Sequence, residues 1–280
     1  MSGRRALVTG ANSGIGFATA HGLARLGAQV TLCCRDAARG AAAAEALVTA
    51  QPGARVDVAR LDVSDLNDVR RFAAALEGAP VHIVVHNAGT MPDTREVTPA
   101  GDEVTLATHV LGPHLLTRAL APSLAAAGHA RVVWVSSGGM YSRKLRVSDP
   151  DITARPYDPL DAYACTKRMQ VVLAELWAER LRAQGTVVHA MHPGWADTPA
   201  VARFMPKFHK AMAGRLRTPE QGADTVTWVC AAAAPGATTG LFYFDRAPRS
   251  THLLPWTRES SADRDALWAM CEARTQGAPR

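Results

Sequence analysis

Short apolar runs alternate with amphipathic stretches along almost the whole of this chain. The apolar runs are rich in Val, Ile and Leu, and they predict strands at residues 5–9, 29–34, 55–61, 81–86, 131–136, 186–191 and 240–244. The amphipathic stretches predict helices at residues 14–26, 37–50, 64–76, 101–127, 160–184 and 218–234. This order is typical of an α/β fold in which helices cover both faces of a doubly wound parallel sheet, here of about seven strands.

The length and composition fit a single domain. The chain has 280 residues, of which 48% are hydrophobic, and so can bury one substantial core. We assign residues 1–245 to that domain and residues 246–280 to a C-terminal extension packed on it, with a short helix predicted at 263–273. No window approaches about 18 uninterrupted apolar residues, and the first residues run directly into a strand. We therefore expect a cytoplasmic protein without a membrane span.

The charged residues and the cysteines argue against several classes of partner. The formal net charge is +6, but the basic residues are dispersed among acids, so we expect no nucleic-acid surface and only a small bias toward anionic ligands. The five cysteines show no Cys-x-x-Cys spacing, which favours small core residues over a disulfide framework. No histidine pair has the helical spacing of a metal site, so no metal is expected.

A glycine-rich turn follows the first predicted strand. Thr9 ends the strand, and glycines at such a turn let the backbone approach a pyrophosphate while the helix N-terminus faces its charge. We expect a Rossmann-like nucleotide site with contacts from Gly10, Ser13, Gly14, Ile15 and Gly16. The spacing Gly-x-x-x-Gly-x-Gly differs from the Gly-x-Gly-x-x-Gly fingerprint and points away from the larger two-domain dehydrogenases. An ordinary glycine-rich turn is the alternative.

The end of the second strand bears on the choice of dinucleotide. Cys34 stands where an acid would bind the ribose 2′-hydroxyl of NAD, and Arg35 follows it. An arginine can accept the 2′-phosphate of NADP, so we predict NADP(H) as the cofactor. Asp36 is interpreted as the N-cap of the next helix. Asp62 and Val63, after the third strand, are expected near the adenine, although helix capping explains Asp62 equally well.

Two further turns are predicted at the same edge of the sheet. The fourth strand closes with Asn87, Ala88 and Gly89, small residues beside which a cofactor can pass, and Asn87 can also brace neighbouring strands. The remaining cofactor-binding candidates follow the sixth strand and are Pro193, Gly194, Trp195 and Thr198. Ligands of such sheets bind at the carboxyl ends of the strands, where the strand order reverses, so these segments are expected to meet there.

Tyr163 and Lys167 form a candidate acid/base pair. They stand four residues apart on one predicted helix, so the ammonium can lie close to the phenol oxygen. A nearby positive charge favours the phenolate and lowers a tyrosine pKa, which is ordinarily near 10. Helices carry such pairs by chance, and the pair gains weight from its neighbours. Ser137, in the turn after the fifth strand, can hydrogen-bond a substrate oxygen beside Tyr163.

These motifs together resemble the short-chain dehydrogenase/reductase family over roughly residues 4–245. Within it, Cys34-Arg35-Asp36 resembles the retinol dehydrogenase-like branch, which uses NADP(H), and residues 136–140 and 192–199 resemble one member of that branch. The resemblance implies that Tyr163 acts as general acid or base and that Ser137 polarises the substrate oxygen. It also implies that Lys167 lowers the pKa of Tyr163 and holds the nicotinamide ribose.

One position departs from the family pattern. The family has Asn-x-x-Gly in the long central helix, whereas this chain has His109-Val110-Leu111-Gly112. We predict that His109 belongs to the catalytic set and replaces the asparagine as a proton relay, because an imidazole titrates near neutral pH. The alternative is that His109 only fills space in the helix.

The substrate is expected to be a small, apolar carbonyl compound or alcohol. The side chains available near the rim are Met140, Tyr141, Trp195, Phe204, Met205 and Phe208. Residues 195–208 form either a lid over a pocket or an ordinary surface helix.

The residues therefore predict an NADP(H)-dependent oxidoreductase that transfers hydride between nicotinamide and a carbonyl or alcohol carbon. A non-catalytic NADP-binding sensor or scaffold is the first alternative, which His109 favours weakly. A sugar-nucleotide epimerase or dehydratase is the second, and it would need a larger C-terminal substrate domain. The resemblance also suggests a homodimer or homotetramer that forms through the long helices.

Overall fold

The computed structural model describes residues 1–276, and a sheet of eight strands lies at its centre. The strands are β1 (Arg5–Thr9), β2 (Gln29–Cys34), β3 (Arg55–Arg60), β4 (Ile83–His86), β5 (Arg131–Val135), β6 (Val187–Met191), β7 (Phe242–Phe244) and β8 (Ala247–Arg249). Their spatial order is β3-β2-β1-β4-β5-β6-β7-β8, and every neighbouring pair is parallel except β7 with β8. The predicted α/β class and doubly wound parallel sheet are confirmed.

Helices lie on both faces of this sheet. The α-helices of the described residues are α1 (Gly14–Arg25), α2 (Ala37–Ala50), α3 (Leu66–Ala74), α4 (Val104–Leu106), α5 (Gly112–Ala119), α6 (Ala121–Ala126), α7 (Pro159–Leu181), α8 (Pro199–Phe204), α9 (Pro206–Ala211), α10 (Pro219–Ala231), α11 (Ala233–Gly236) and α12 (Ser261–Thr275). A π-helical segment spans Ala107–Leu111, and 3₁₀ turns span Gly138–Ser142, Arg182–Gln184 and Pro255–Thr257. Helices α1, α2 and α10 pack on one face, and α3, α5 and α7 pack on the other.

The two faces of the sheet fill two separate cores. In β1, Ala6 and Val8 point into the core beneath α1 and α10, whereas Leu7 points into the core beneath α5 and α7. All three side chains are fully buried. Burial on both faces explains why the strand reads as a continuous apolar run rather than an alternating one.

The strand order reverses between β1 and β4. Strand β2 pairs with one edge of β1, and β4 pairs with the other edge. The chain leaves these two neighbouring strands toward helices on opposite faces, which opens a crevice at their carboxyl ends. Gly10 follows β1 and Asn87 follows β4, so the predicted nucleotide motifs lie at this crevice.

The single helix predicted over residues 101–127 is wrong in detail. The structure breaks it into α4, the π-helical segment, α5 and α6. Pro113 and Pro122 explain the breaks, because proline has no backbone N–H to donate to the carbonyl four residues earlier. In the π-helical segment the Gly112 N–H instead bonds to the carbonyl of Ala107, five residues earlier. Such π-helical turns occur frequently at functional sites.

A hairpin adds an eighth strand that the sequence did not predict. Asp245 and Arg246 have φ values of 51° and 56° and reverse the chain between β7 and β8. Two consecutive residues with positive φ form the turn that suits a two-residue hairpin, but Asn-Gly or Asp-Gly is its usual sequence. Proline disfavours a strand, and Pro248 is tolerated because β8 lies at the edge of the sheet.

Smaller differences occur at the ends of elements. Strand β7 begins at Phe242 rather than residue 240, because Gly240 has a φ of 77°. Helix α3 begins at Leu66 rather than residue 64, because the Asp65 side chain accepts the backbone N–H groups of the second and third residues of that helix. Helix α7 ends at Leu181, where a 3₁₀ turn leads into Gly185 with a φ of 76°.

The C-terminal extension lies against the helices of one face. Helix α12, predicted at 263–273, carries Trp268, whose ring centroid lies 4.9 Å from that of Trp177 on α7. The Arg180 guanidinium lies 3.6 Å from the centre of the Trp268 ring. On α5, the buried His114 donates to Glu272 of α12 at 2.9 Å, and burial lowers the pKa of His114 to about 4, so it is neutral at neutral pH. Helix α12 therefore covers parts of both α5 and α7.

The cysteines are core residues, as predicted. All five are buried and free of disulfides. Burial raises the pKa of Cys230 to about 12, so this thiol stays protonated at neutral pH. Within residues 1–276, no group of three or more His, Cys, Asp or Glu side chains is arranged to hold a metal ion. The helices of those residues are all too short or too polar to cross a membrane.

Candidate active site

The glycine-rich turn after β1 has the backbone geometry that an anion needs. Gly10 and Gly14 have φ values of 64° and 56°, which favour glycine. Gly16 packs so tightly that an added Cβ would lie 2.4 Å from both Nδ2 of Asn87 and the carbonyl oxygen of Gly10. Ser13 occupies the N-cap of α1 without accepting a hydrogen bond on its side chain. The first N–H groups of α1 therefore face the crevice and fit a pyrophosphate.

Asn87 fixes this turn to the end of β4. Its Nδ2 donates to the carbonyls of Thr9 at 2.9 Å and Gly10 at 3.3 Å. In return, Oγ1 of Thr9 accepts the backbone N–H groups of Asn87 and Ala88 at 3.0 and 3.1 Å. Asn87 thus braces β1 against β4 as predicted. Gly89 follows, and an added Cβ there would lie 3.1 Å from Nε2 of His109.

The segment after β6 lies beside the same turn. An added Cβ on Gly14 would touch the Thr198 side chain at 3.4 Å, and Ile15 lies close to Gly222 and Ala196. Gly194 has a φ of 77°, and the carbonyl of Pro193 accepts from Arg217. Thr198 is buried and caps α8. The structure therefore brings Thr198 to the glycine turn, whereas Pro193 and Gly194 lie against Arg217.

Asp62 and Val63 lie at the end of β3 and make local contacts. Oδ1 of Asp62 accepts the backbone N–H and the hydroxyl of Ser64 at 3.0 and 2.6 Å. The N-cap of α3 is Asp65, so Asp62 closes a turn before the helix instead of capping it. The carbonyl of buried Val63 faces Gly112, where an added Cβ would come within 1.8 Å of it. Only glycine fits at position 112.

Ser137 and Tyr163 meet at the carboxyl end of β5. Ser137 caps the 3₁₀ turn that follows the strand, and its Oγ accepts the Gly139 N–H at 3.2 Å. A hydrogen bond between the Ser137 and Tyr163 side chains lowers the pKa of Tyr163, but burial raises it by more. Ser136 points elsewhere, donating to the Lys167 carbonyl at 2.8 Å. The geometry supports the choice of Ser137 over its neighbour.

Lys167 lies one turn after Tyr163 on α7, as its spacing predicts. Its Nζ is 5.4 Å from the centre of the Tyr163 ring and donates to the carbonyl of Val135 at 2.9 Å. The residue is 3% exposed, and burial lowers its pKa to about 7. The expected lowering of the Tyr163 pKa by Lys167 is not found, because the effects that shift this pKa are burial, which raises it, and the hydrogen bond with Ser137, which lowers it by less. The phenol is therefore protonated at neutral pH.

His109 is fully buried in the π-helical segment with both ring nitrogens occupied. Nε2 accepts the backbone N–H of Thr90 at 3.0 Å, so the proton of the neutral ring is on Nδ1. Nδ1 lies 2.8 Å from Oγ1 of Thr166, whose hydroxyl donates onward to helix carbonyls. Burial and the charge of Lys167 hold the pKa of His109 well below its usual range. This arrangement favours the structural alternative for the ring over the predicted relay.

Two exposed arginines follow β2, the first directly after the strand and the second in the first turn of α2. Arg35 follows the strand directly, and Asp36 caps α2 by accepting the Arg39 N–H at 3.0 Å, as predicted for Asp36. A surface cavity of about 390 Å³ lies beside the glycine turn and is lined by Asn12, Ser13, Phe17, Arg39, Ala42, Ala43 and Ala46. Sequence reasoning missed Arg39. Its signal was its place in the first turn of the helix that follows Arg35.

The predicted substrate residues do not all reach the surface. Met140 is fully buried, and its Sδ lies 3.4 Å from the Arg168 guanidinium, so it belongs to the core. Tyr141 is half-buried and donates to the carbonyl of Ser250 in the C-terminal extension at 2.7 Å. Trp195 is 48% exposed, and its ring lies 4.5 Å from that of Phe208. Phe204, Met205 and Phe208 are half-buried on the short helices α8 and α9.

A buried arginine connects α7, the helix of Tyr163 and Lys167, to the C-terminal extension. The sequence did not suggest this contact. Arg168, beside Lys167 on α7, donates to Glu259 at 2.6 Å and to the carbonyl of Thr251 at 2.6 Å. It also contacts the ring of His252. The extension therefore supports both α7 and the turn that holds Met140.

Comparison with known proteins agrees with this geometry. Residues 4–207, most of the chain, match the short chain dehydrogenase family. The chain belongs to that family. It is 40% identical to human Dehydrogenase/reductase SDR family member 12 over 279 residues, which cover 98% of this chain and 87% of the human protein. Residues 136–140 and 192–199 resemble that member. Bovine Retinol dehydrogenase 12 is 32% identical, with 96% of this chain and 86% of the relative covered.

Several solved structures share the fold. An uncharacterized protein from Mycobacterium paratuberculosis matches with a TM-score of 0.79 and 28% identity, over 98% of this chain and 94% of its own. An NAD(P) dependent gluconate 5-dehydrogenase from Beutenbergia cavernae, with bound NADP, matches with a TM-score of 0.71 and 26% identity, over 86% of this chain and 94% of its own. A 3-ketoacyl-(acyl-carrier-protein) reductase from Brucella melitensis, complexed with NADH, matches with a TM-score of 0.68 and 29% identity, over 86% of this chain and 96% of its own.

Proposed function

We propose that this short chain dehydrogenase is an NADP(H)-dependent oxidoreductase that interconverts a carbonyl group and an alcohol on a small apolar molecule. The observation that carries the proposal is the position of the buried Lys167 Nζ, 5.4 Å from the centre of the Tyr163 ring, with Ser137 in the turn after β5. A hydroxyl and a protonated phenol that point to one place can both donate to a single substrate oxygen.

The residues of the crevice fit a nicotinamide dinucleotide. The uncapped start of α1 and the close approach at Gly16 would receive its pyrophosphate. Lys167 Nζ has three N–H groups, of which two are used within the protein, so one is available to hold a ribose hydroxyl. A bound nicotinamide would supply or accept the hydride. These features support binding of the cofactor that the family uses.

Each catalytic side chain has a role set by its position. In reduction, Ser137 donates a hydrogen bond to the carbonyl oxygen, and the Tyr163 phenol gives its proton to that oxygen. In oxidation, the phenolate form of Tyr163 takes the proton of the alcohol and becomes the phenol. The Lys167 ammonium stabilises the phenolate that forms in reduction. Because burial raises the pKa of the phenol, the proton donor that reduction needs is present at neutral pH.

The preference for NADP(H) rests on Arg35 and Arg39. Both are exposed, and Arg39 lines the cavity beside Asn12 and Ser13 of the glycine turn. A guanidinium can pair with the two negative charges of a 2′-phosphate, whereas no acid follows β2 at the place where NAD enzymes use one.

The oligomeric state and the cellular compartment stay predictions. A homodimer or homotetramer would use the long helices α5 and α7, yet α12 lies across parts of both. A cytoplasmic location rests on the sequence argument alone.

A carbonyl screen tests the proposed function. NADPH absorbance at saturating cofactor is followed with a panel of apolar aldehydes and ketones, for the wild type and for Ser137→Ala. We expect turnover by the wild type and a loss of roughly 10² or more in the variant. Tight NADPH binding without turnover of any panel member would favour the sensor or scaffold instead.

A further inference from the structure

The side chain of Gln170 links the Lys167 ammonium to the π-helical segment. Gln170 lies three residues after Lys167 on α7 and is fully buried. Its Oε1 accepts a hydrogen bond from Lys167 Nζ at 3.0 Å. Its Nε2 donates to the backbone carbonyl of His109 at 2.9 Å. Both ends of the amide are therefore used, and the orientation of the group is fixed by its two partners.

The His109 carbonyl accepts this bond because of a local feature of the sequence. In a regular helix that carbonyl would accept the N–H of the residue four positions later, but that residue is Pro113. Because of the proline, the His109 carbonyl has no helical partner at that position and accepts the hydrogen bond from Gln170 instead. The contribution of position 109 to the site is thus its backbone oxygen, while its ring bonds to Thr90 and Thr166.

We propose that Gln170 is a positioning residue that holds the Lys167 ammonium in its charged form and aims it at the catalytic crevice. The Val135 carbonyl and Oε1 of Gln170 take two of the three N–H groups of Lys167. These two hydrogen bonds fix the orientation of Nζ, and thereby the direction in which its third N–H points. This inference rests on the proposed function, because the ammonium acts there on Tyr163 and on a ribose.

Hydrogen bonds to the charged form are what keep a buried lysine protonated. Burial lowers the pKa of Lys167 to about 7. A hydrogen-bond acceptor on Nζ, such as the Val135 carbonyl or Oε1 of Gln170, favours the charged form. The titratable groups that face Lys167 are Tyr163 on the same helix and His109 on the π-helical segment. Among the residues described, no carboxylate contributes to the pKa of Lys167. The neutral acceptors on Nζ, the Val135 carbonyl and the Gln170 side chain, are therefore the groups that favour the charged form of Lys167.

The first test uses two substitutions with opposite effects. Gln170→Met keeps the volume but removes the acceptor, so the pKa of Lys167 should fall and the alkaline limb of kcat/KM for carbonyl reduction should move down by about one pH unit. Gln170→Glu places a carboxylate at the same point, so the limb should move up. Gln184→Met, in the 3₁₀ turn after α7, is the matched control and should leave the limb unchanged. Profiles of both Gln170 variants that superimpose on the wild type would overturn the proposal.

The second test needs neither cofactor nor substrate. The free energy of unfolding of the full chain is measured against pH for the wild type, Gln170→Met and Gln170→Glu. Protons leave Lys167 at a lower pH in the folded state than in the unfolded state, so stability rises with pH above the folded pKa. The rise in the free energy of unfolding should begin about one pH unit lower in Gln170→Met than in the wild type, and at a higher pH in Gln170→Glu. Identical curves would overturn the proposal. If the curves shift but the wild type reduces no carbonyl, the proposed function fails and the role of Gln170 stands.

Discussion

Arg168 and Glu259 form an ion pair that is almost completely removed from solvent, with 2.6 Å between nitrogen and oxygen and side-chain exposures of 1% and 4%. The pair joins the helix that carries Tyr163 and Lys167 to the segment that precedes α12. Removing one partner of a buried pair leaves an uncompensated charge, which is costly. The C-terminal extension is therefore part of the framework of the active site.

We expect Glu259→Gln to lower the free energy of unfolding by roughly 3–5 kcal/mol, because the buried Arg168 guanidinium would lose its counter-charge. Urea denaturation measures this. Glu179→Gln is the control, because Glu179 is 63% exposed on its side chain and pairs with Arg264 at 3.6 Å, so its loss should cost less than about 1 kcal/mol. Equal effects of the two substitutions would contradict a structural role for the buried pair.

Lys167 should make stability depend on pH in a defined window. Its pKa is about 7 in the folded protein and about 10.4 in an unfolded chain. Between these values the unfolded state binds more protons, so the free energy of unfolding rises with pH, by up to about 1.4 kcal/mol per pH unit. Lys167→Met should lose that rise. Denaturation curves at several pH values test this, and parallel slopes for both proteins would show that Lys167 does not titrate as described.

Arg35 and Arg39 should set the preference for NADPH over NADH. Each charge-assisted contact with a 2′-phosphate is worth roughly 1.5–3 kcal/mol, so Arg35→Ala should cost roughly tenfold or more in NADPH affinity and leave NADH affinity nearly unchanged. Arg39→Ala should act in the same direction. Fluorescence titration gives both affinities, and Arg182→Ala, at an exposed site after α7, is the control. Equal affinities for the two cofactors in the wild type would refute the assignment.

His109 should stay neutral across the range in which the enzyme works. Burial and the charge of Lys167 keep its pKa well below 6.5, so the limbs of the pH-rate profile near neutral pH should not belong to it. His109→Asn should therefore keep the midpoints of the wild-type profile, even if the rate falls because the contacts to Thr90 and Thr166 change. Loss of an acidic limb in His109→Asn would instead restore the ring as a proton relay.

The parts of this site that follow from local spacing could be predicted from the sequence. The glycines after β1 and the four-residue interval between Tyr163 and Lys167 place their groups through one turn or one helix, so no long-range packing is needed. Asp36 as a helix cap is predictable for the same reason.

The remaining contacts depend on packing between distant segments. Gln170 meets the carbonyl of His109 across 61 residues, and Arg168 meets Glu259 across 91. Neither contact follows from spacing, because it requires the crossing of α7 with the π-helical segment or with the extension. The desolvation of the Tyr163 phenol, which decides the direction of its pKa, likewise depends on how distant segments pack around a side chain that is itself only half-buried.

Substitution of the phenol tests the central claim most directly. Turnover of NADPH with the best carbonyl substrate and the dissociation constant of NADPH are measured for the wild type, Tyr163→Phe and Tyr157→Phe. Tyr157 bonds to Glu103, away from Lys167, and serves as the control. We predict that Tyr163→Phe loses roughly 10²–10⁴-fold in kcat, with NADPH affinity within a few-fold of the wild type, while Tyr157→Phe keeps its turnover. Carbonyl reduction by Tyr163→Phe at a rate near that of the wild type would contradict the account and place the proton donor elsewhere.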